Sequence, residues 1–160
     1  MAGDSRFLIT NGSVMLPFHD TPHVSTFLQS HYGAYTTTRT HNGGKSLLLL
    51  ERHLRRLTDS ARILFGASDL KNVSRLAKES ISTIVPIARR EWKPVDNEEL
   101  AITTLLTDDA EGFGVHVHVS AHVPHIFDAG SGARLALVGP GRSLAEAKHT
   151  EWEKEAFGKF

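Results

Sequence analysis

The stretch HYGAYTTTRTHNGGKSLLLLERHLRRLTDSARIL, residues 31–64, reads as strand, tight turn, strand and amphipathic helix. Its first strand, Ala34 to Thr40, is rich in Thr and Tyr, which favour a pleated backbone. Asn42-Gly43-Gly44 supplies a turn that tolerates positive φ, and Lys45-Ser46-Leu47-Leu48 pairs back before the helix begins. On that helix Leu50, Leu54, Leu57, Ala61 and Leu64 form one buried stripe, because residues three and four apart share a face. Glu51, Arg52, Arg55, Thr58, Asp59 and Arg62 take the opposite, solvated face. His53, Arg56 and Ser60 are a third set, lying along one flank beside the apolar stripe. Geometry alone suits two arrangements there: a solvated arginine with a boundary histidine, or side chains that reach a cleft while their stems pack on the core.

Working outward toward the N-terminus, Arg6 to Met15 predicts a hairpin, with FLIT and SVM joined at Asn11-Gly12. Pro17 to Pro22 is a loop bounded by its two prolines, and Val24 to Gln29 is a short helical or extended approach to the first strand of the central stretch. Toward the C-terminus, Gly66 is a natural helix stop and Ser68 or Asp69 can cap the next helix. That helix carries an apolar face of Leu70, Val73, Leu76, Ala77, Ile81, Ile84 and Val85, and Pro86 ends or kinks it. Ala88 to Glu98 reads as a surface connection. Leu100 to Thr107 is a strand, Asp108 to Gly112 a turn, Phe113 to Val123 an alternating strand, Pro124 to Gly132 a loop, and Arg134 to Val138 a further strand. Strands, two helices, then more strands argue for an α+β domain with a mainly antiparallel sheet.

The 160 residues suffice for one domain with a real core. Eighteen basic residues balance eighteen acidic ones, so no bulk charge draws nucleic acid or a membrane surface. No cysteine is present, which excludes a disulfide framework and cysteine-ligated zinc and fits a cytoplasmic protein. No secretory signal and no apolar run of membrane-spanning length is visible. His116, His118 and His122 share one strand face, with His125 just beyond. Imidazoles at i and i+2 can chelate zinc or copper, but no carboxylate sits at ligand spacing on that strand. The histidines are therefore read as the polar face of an edge strand, or one of them as the lining of a cleft, and no metal site is assigned.

Gly33, Tyr35, Thr37 and Arg39, followed by Leu50, His53, Arg56, Leu57, Ser60 and Ala61, spell the patterns G-x-[FY]-x-T-x-R and L-x-x-H-x-x-R-L-x-x-S-A. In that order and at that spacing they resemble the small domain of the class IV pyridoxal-phosphate enzymes. This family includes branched-chain and D-amino-acid aminotransferases and aminodeoxychorismate lyase. Tyr35-Thr36-Thr37 is closer to the lyases, since many aminotransferases carry Glu where this chain has Thr36. Further on, Arg142 and Lys148 match the family's arginine and cofactor-bearing lysine in spacing, within a similar text, R-x-x-x-x-x-K-x-x-x-W/Y. Without the resemblance, Leu144, Ala145 and Lys148 could equally belong to an exposed helix.

The resemblance implies pyridoxal 5'-phosphate as cofactor, with Lys148 as catalytic lysine holding its aldehyde and Arg56 holding its phosphate. Tyr35, Thr37 and Arg39 would line the substrate side. The residue types suit the chemistry. A lysine amine of lowered pKa attacks an aldehyde and carries an α-proton, and arginine's planar fork bonds two phosphate oxygens without losing charge. Residues 1–132 correspond to the family's small domain, and residues 133–160 to the interdomain strand and connection with the start of a large domain that is missing. The expectation is a truncated class IV aminotransferase- or lyase-like protein acting on amino acids, with a homodimer among its expected partners. The alternative is a non-catalytic fragment acting as an interaction module for dimerisation. A lone C-terminal helix should be poorly anchored, because Leu144, Ala147 and Trp152 have no second domain to pack on.

Overall fold

Two Asn-Gly turns set the register of a six-stranded antiparallel sheet. The first joins β1 (Arg6–Thr10) to β2 (Ser13–Val14), with Asn11 at φ 49° and Gly12 at φ 81°. Both central residues are left-handed, as the tightest hairpin turn requires. The second joins β3 (Ala34–His41) to β4 (Ser46–Leu47) through Asn42, Gly43 and Gly44, all at positive φ. This computed structural model describes residues 5–15, 18–66, 70–92, 98–124, 130, 141–142, 144–152 and 154.

The sheet is completed by β5 (Glu99–Asp109) and β6 (Gly112–His122), and its order is β2-β1-β6-β5-β3-β4. Two helices, α2 (Leu50–Phe65) and α3 (Leu70–Glu91), pack on one face. Their stripes of Leu54, Leu57, Ala61, Val73, Ala77, Ile81 and Ile84 close a core with Phe7, Ile9, Ile102, Leu106, Val115 and Val117 of the sheet. Each large aliphatic side chain buried there contributes about 1.5–3 kcal/mol. Leu50 and Leu64, at the ends of the stripe, are half-buried. On the opposite face, α1 (Val24–Gln29) covers one end. This short helix seats Phe27 and Leu28 on Leu8, Tyr35 and Leu105. The architecture is α+β, as the order of elements predicts.

Several local expectations change. Pro86 does not end α3, which runs on to Glu91, and Ala88 and Trp92 are buried rather than part of a surface connection. Pro86 itself is exposed, so its ring meets solvent rather than the core. β6 is a central strand between β1 and β5, not an edge. His118 on it is 1% exposed, because Phe27 stacks on its ring and Nε2 donates to the Pro22 carbonyl at 2.8 Å. The tail is anchored: Ala147 and Trp152 are buried, the Arg142 guanidinium lies 4.4 Å from the Trp152 ring centroid, and only Leu144 of the three apolar residues is exposed. The caps at Ser68 or Asp69, His125, the strand Arg134–Val138 and the boundary at 132/133 lie outside the described residues.

Candidate active site

Gly33 begins the site. A Cβ there would stand 2.1 Å from the Leu106 carbonyl oxygen, so only glycine lets β3 start this close to β5. The tail uses the free side of the same strand end. Tyr35 N–H donates to the Lys148 carbonyl at 3.0 Å, Thr150 N–H donates to the Gly33 carbonyl at 2.9 Å, and Gly33 N–H donates to Thr150 Oγ1 at 3.1 Å. A bridge between Ala34 and His149 completes a short antiparallel pairing. From the other side, Ser60 Oγ of α2 accepts the Lys148 N–H at 2.9 Å. Ser60 is buried, and it joins the flank of α2 to the tail.

Held on both sides by its backbone, Lys148 lays its side chain over Tyr35, with Nζ 4.5 Å from the ring centroid. A cation at that distance is attracted by the negative face of the ring. Lys148 and Tyr35 border a cleft of about 370 Å³ on the open sheet face. Its floor is Thr37, Ala101, Thr103 and Ser120, and α1 supplies Val24 and Leu28 as one wall. Thr37 and Thr103 bond to each other through their hydroxyls at 2.9 Å. A second cleft of about 300 Å³ shares Thr37 and Ala101 with the first and continues past Arg39 to His122, Leu48 and His53.

His53 reaches this second cleft from α2, and its Nδ1 lies 2.9 Å from Thr36 Oγ1. Burial first, then the Lys148, Arg56 and Arg52 cations, pushes its imidazole below the ordinary 6.5. Lys148 thus acts on His53 across 95 positions of sequence. Arg56 is exposed one helical turn before Ser60, and its guanidinium makes no hydrogen bond or ion pair with the described residues. Arg39 is half-buried, lies on the same strand face as Tyr35 and Thr37, and its guanidinium has no polar partner among the described residues.

All five residues singled out from the sequence are therefore placed. Lys148, Tyr35, Thr37 and Arg39 meet along one pair of joined clefts, while Arg56 stands on the helix flank behind them and lines neither. Sequence reasoning missed Thr103, Ser120 and Ala101, which carry no motif and become a floor only through strand register. Among the described residues there is no group of three or more His, Cys, Asp or Glu that could hold a metal ion. His116 is instead flanked by Thr10 and Thr107 hydroxyls, each at 3.2 Å. His122 lines the second cleft.

No protein-family model matches the chain, and no curated protein matches it. Among solved structures it is similar to the branched-chain amino acid aminotransferase from Thermobaculum terrenum (M4 mutant), at 9% identity and a TM-score of 0.41. The likeness covers 74% of this chain and 38% of that one. Among the described residues no helix is long and apolar enough to cross a membrane.

Proposed function

We propose that this chain is the lysine-bearing part of a pyridoxal-phosphate-dependent aminotransferase- or lyase-like protein that acts on amino acids. The observation that carries the reading is the position of Lys148. Its backbone is pinned to both β3 and α2, and its amine is held against Tyr35 at the wall of an open cleft. By residue type the donor set suits the cofactor's aldehyde and its phosphate. The Lys148 amine suits an aldehyde, and the Arg56 fork, which pairs with no carboxylate among the described residues, suits a phosphate. When bound, pyridoxal phosphate supplies an electron sink for the bond broken at the α-carbon.

The protein's own work is positioning and proton transfer. Tyr35 limits the swing of the Lys148 side chain, and Lys148 Nζ takes the α-proton from the amino acid and returns it. His53, pushed toward its neutral form, adds no second positive charge beside that amine at neutral pH.

Absorbance of the purified protein with added pyridoxal phosphate, followed by borohydride and peptide mass spectrometry, tests the reading. The expected result is a band near the visible edge and a reduced cofactor adduct on Lys148, both absent from Lys148→Ala. An absent band, or an adduct spread over other lysines, overturns it.

A further inference from the structure

Four consecutive leucines, Leu47 to Leu50, lead into α2, and none of them is buried. Leu48 is 39% exposed and Leu49 57%. Leu49 also holds φ 51°, a left-handed conformation that glycine adopts more readily. Leu47, Leu49 and Leu50 join Glu51, Arg52 and Arg55 in lining a groove of about 590 Å³. It shares no lining residue with either cleft of the candidate active site.

The helix layer around this groove is basic, although the chain as a whole balances eighteen Lys and Arg against eighteen Asp and Glu. α2 and α3 together carry nine Lys and Arg against four Asp and Glu, and all of these residues are exposed. Each of the four acids already pairs with a cation: Glu51 with Lys78, Asp59 with Arg62, Glu79 with Arg75 and Glu91 with Arg90. The one acid in the groove is thus neutralised from α3, and Arg52 and Arg55 leave the groove positive. An exposed apolar patch bordered by charge marks a surface for another molecule, and opposite charge draws the partner in and fixes its register.

We infer that this groove binds an acidic peptide segment of another protein, with an apolar side chain among the leucines and carboxylates on Arg52 and Arg55. Charge complementarity selects this occupant. A carboxylate suits the guanidinium fork, which bonds both of its oxygens. A nucleic-acid backbone would engage the cations and leave the leucines uncovered. A bilayer takes apolar side chains that project into it, whereas these line a hollow. A second copy of this chain, paired face to face, would bring the same excess of positive charge, and like charges repel. Nothing in this groove depends on a cofactor.

The probe is a fluorescein-labelled peptide, Glu-Glu-Leu-Leu-Glu-Glu, titrated into the full chain and read by anisotropy. Gln-Gln-Leu-Leu-Gln-Gln and Glu-Glu-Ala-Ala-Glu-Glu are its controls. The probe is expected to bind at least about tenfold more tightly than either control, to move the amide NMR resonances of Leu49, Leu50 and Arg52, and to weaken as salt is raised. The Arg52→Gln, Arg55→Gln double variant should lose the preference over the glutamine peptide, with circular dichroism confirming that it folds. Leu49→Gly should bind the probe more weakly than wild type while melting no lower, which separates a lost contact from a lost fold. Equal binding of either control, an affinity unchanged in either variant, or no measurable binding overturns the proposal. Tighter binding to phosphatidylserine vesicles overturns it in favour of a membrane surface. A dimer in sedimentation that Leu49→Gly dissociates overturns it in favour of a second copy.

Discussion

Glu99 shows how one side chain can fix a turn. Burial raises its carboxyl, but the hydrogen bonds from Thr40, Gly43 and Gly44, with the charge of His41, outweigh that effect and hold it below the ordinary glutamate value of 4.5. The two glycines matter because their positive φ turns both N–H groups toward the same carboxylate. A group depressed in the folded state stabilises the protein above its unfolded value, and that contribution is lost as the pH falls from 4.5 through the lower folded value. Glu99→Gln should cost about 1–3 kcal/mol at neutral pH, since an amide leaves a buried donor unmatched. Urea melts at pH 7 and pH 3 would also show a smaller loss on acidification than in the wild type. His53 follows the same direction from a different reference. Its stabilising contribution is complete above 6.5 and declines as the pH falls through 6.5 toward its lowered folded value. An NMR titration should place its midpoint below 6.5. Lys148→Met should move that midpoint upward yet leave it below 6.5, because burial, the largest cause, remains. A midpoint unmoved by Lys148→Met would contradict the placement of Lys148 beside α2. None of this was legible at Glu99, which the sequence offers only as one acidic residue at the end of a polar connection.

At the scale of elements, the apolar stripe of α2 and both Asn-Gly turns were readable, because each rests on local periodicity or local φ preference. The flank of α2 was readable only in outline. Ser60 earns its burial from the tail, 88 residues away in the chain, and no local pattern carries that partner. β6 was misjudged for a similar reason. Histidines alternating with valines look like a wet face, until α1 arrives with Phe27 to cover His118 and the Pro22 carbonyl accepts its proton. The start of α2 has a cost of its own. Leu49, at its N-cap, sits at φ 51° with no side-chain cap and is 57% exposed. A left-handed leucine is unfavourable by roughly 1–2 kcal/mol, part of which a glycine gives back as chain entropy. Leu49→Gly is therefore expected to stabilise the protein by about 0.5–1 kcal/mol, seen as a rise in melting temperature. A fall would mean that the exposed leucine is packed against something in solution.

Across the whole molecule, α2, α3 and the core were legible as an α+β domain. The tail was not, because the sequence gives no sign that its apolar residues find the edge of β3 instead of a second domain. Trp152 is the clearest handle on that docking: it is 8% exposed, contacts the His149 ring and carries Arg142 on its face. Trp152→Ala should cost about 3 kcal/mol and should weaken Lys148 labelling in parallel, because the same segment supplies the lysine. Stability lost without any change in labelling would separate the tail's packing from its chemistry. The docked tail also bears on the colloidal behaviour of the protein. A bare strand at the rim of a sheet is a template on which other chains can polymerise. Here the pairing of Ala34 with His149 blocks one end of that rim, and the pairing of Thr40 with Leu47 blocks the other. Among the described residues only Thr36 to Thr38 lie between these pairings, and Arg39, whose carbonyl accepts the Leu48 N–H at 3.0 Å, flanks them with a charge that repels an identical neighbour. Preparations in which the tail is displaced should therefore be the ones that precipitate.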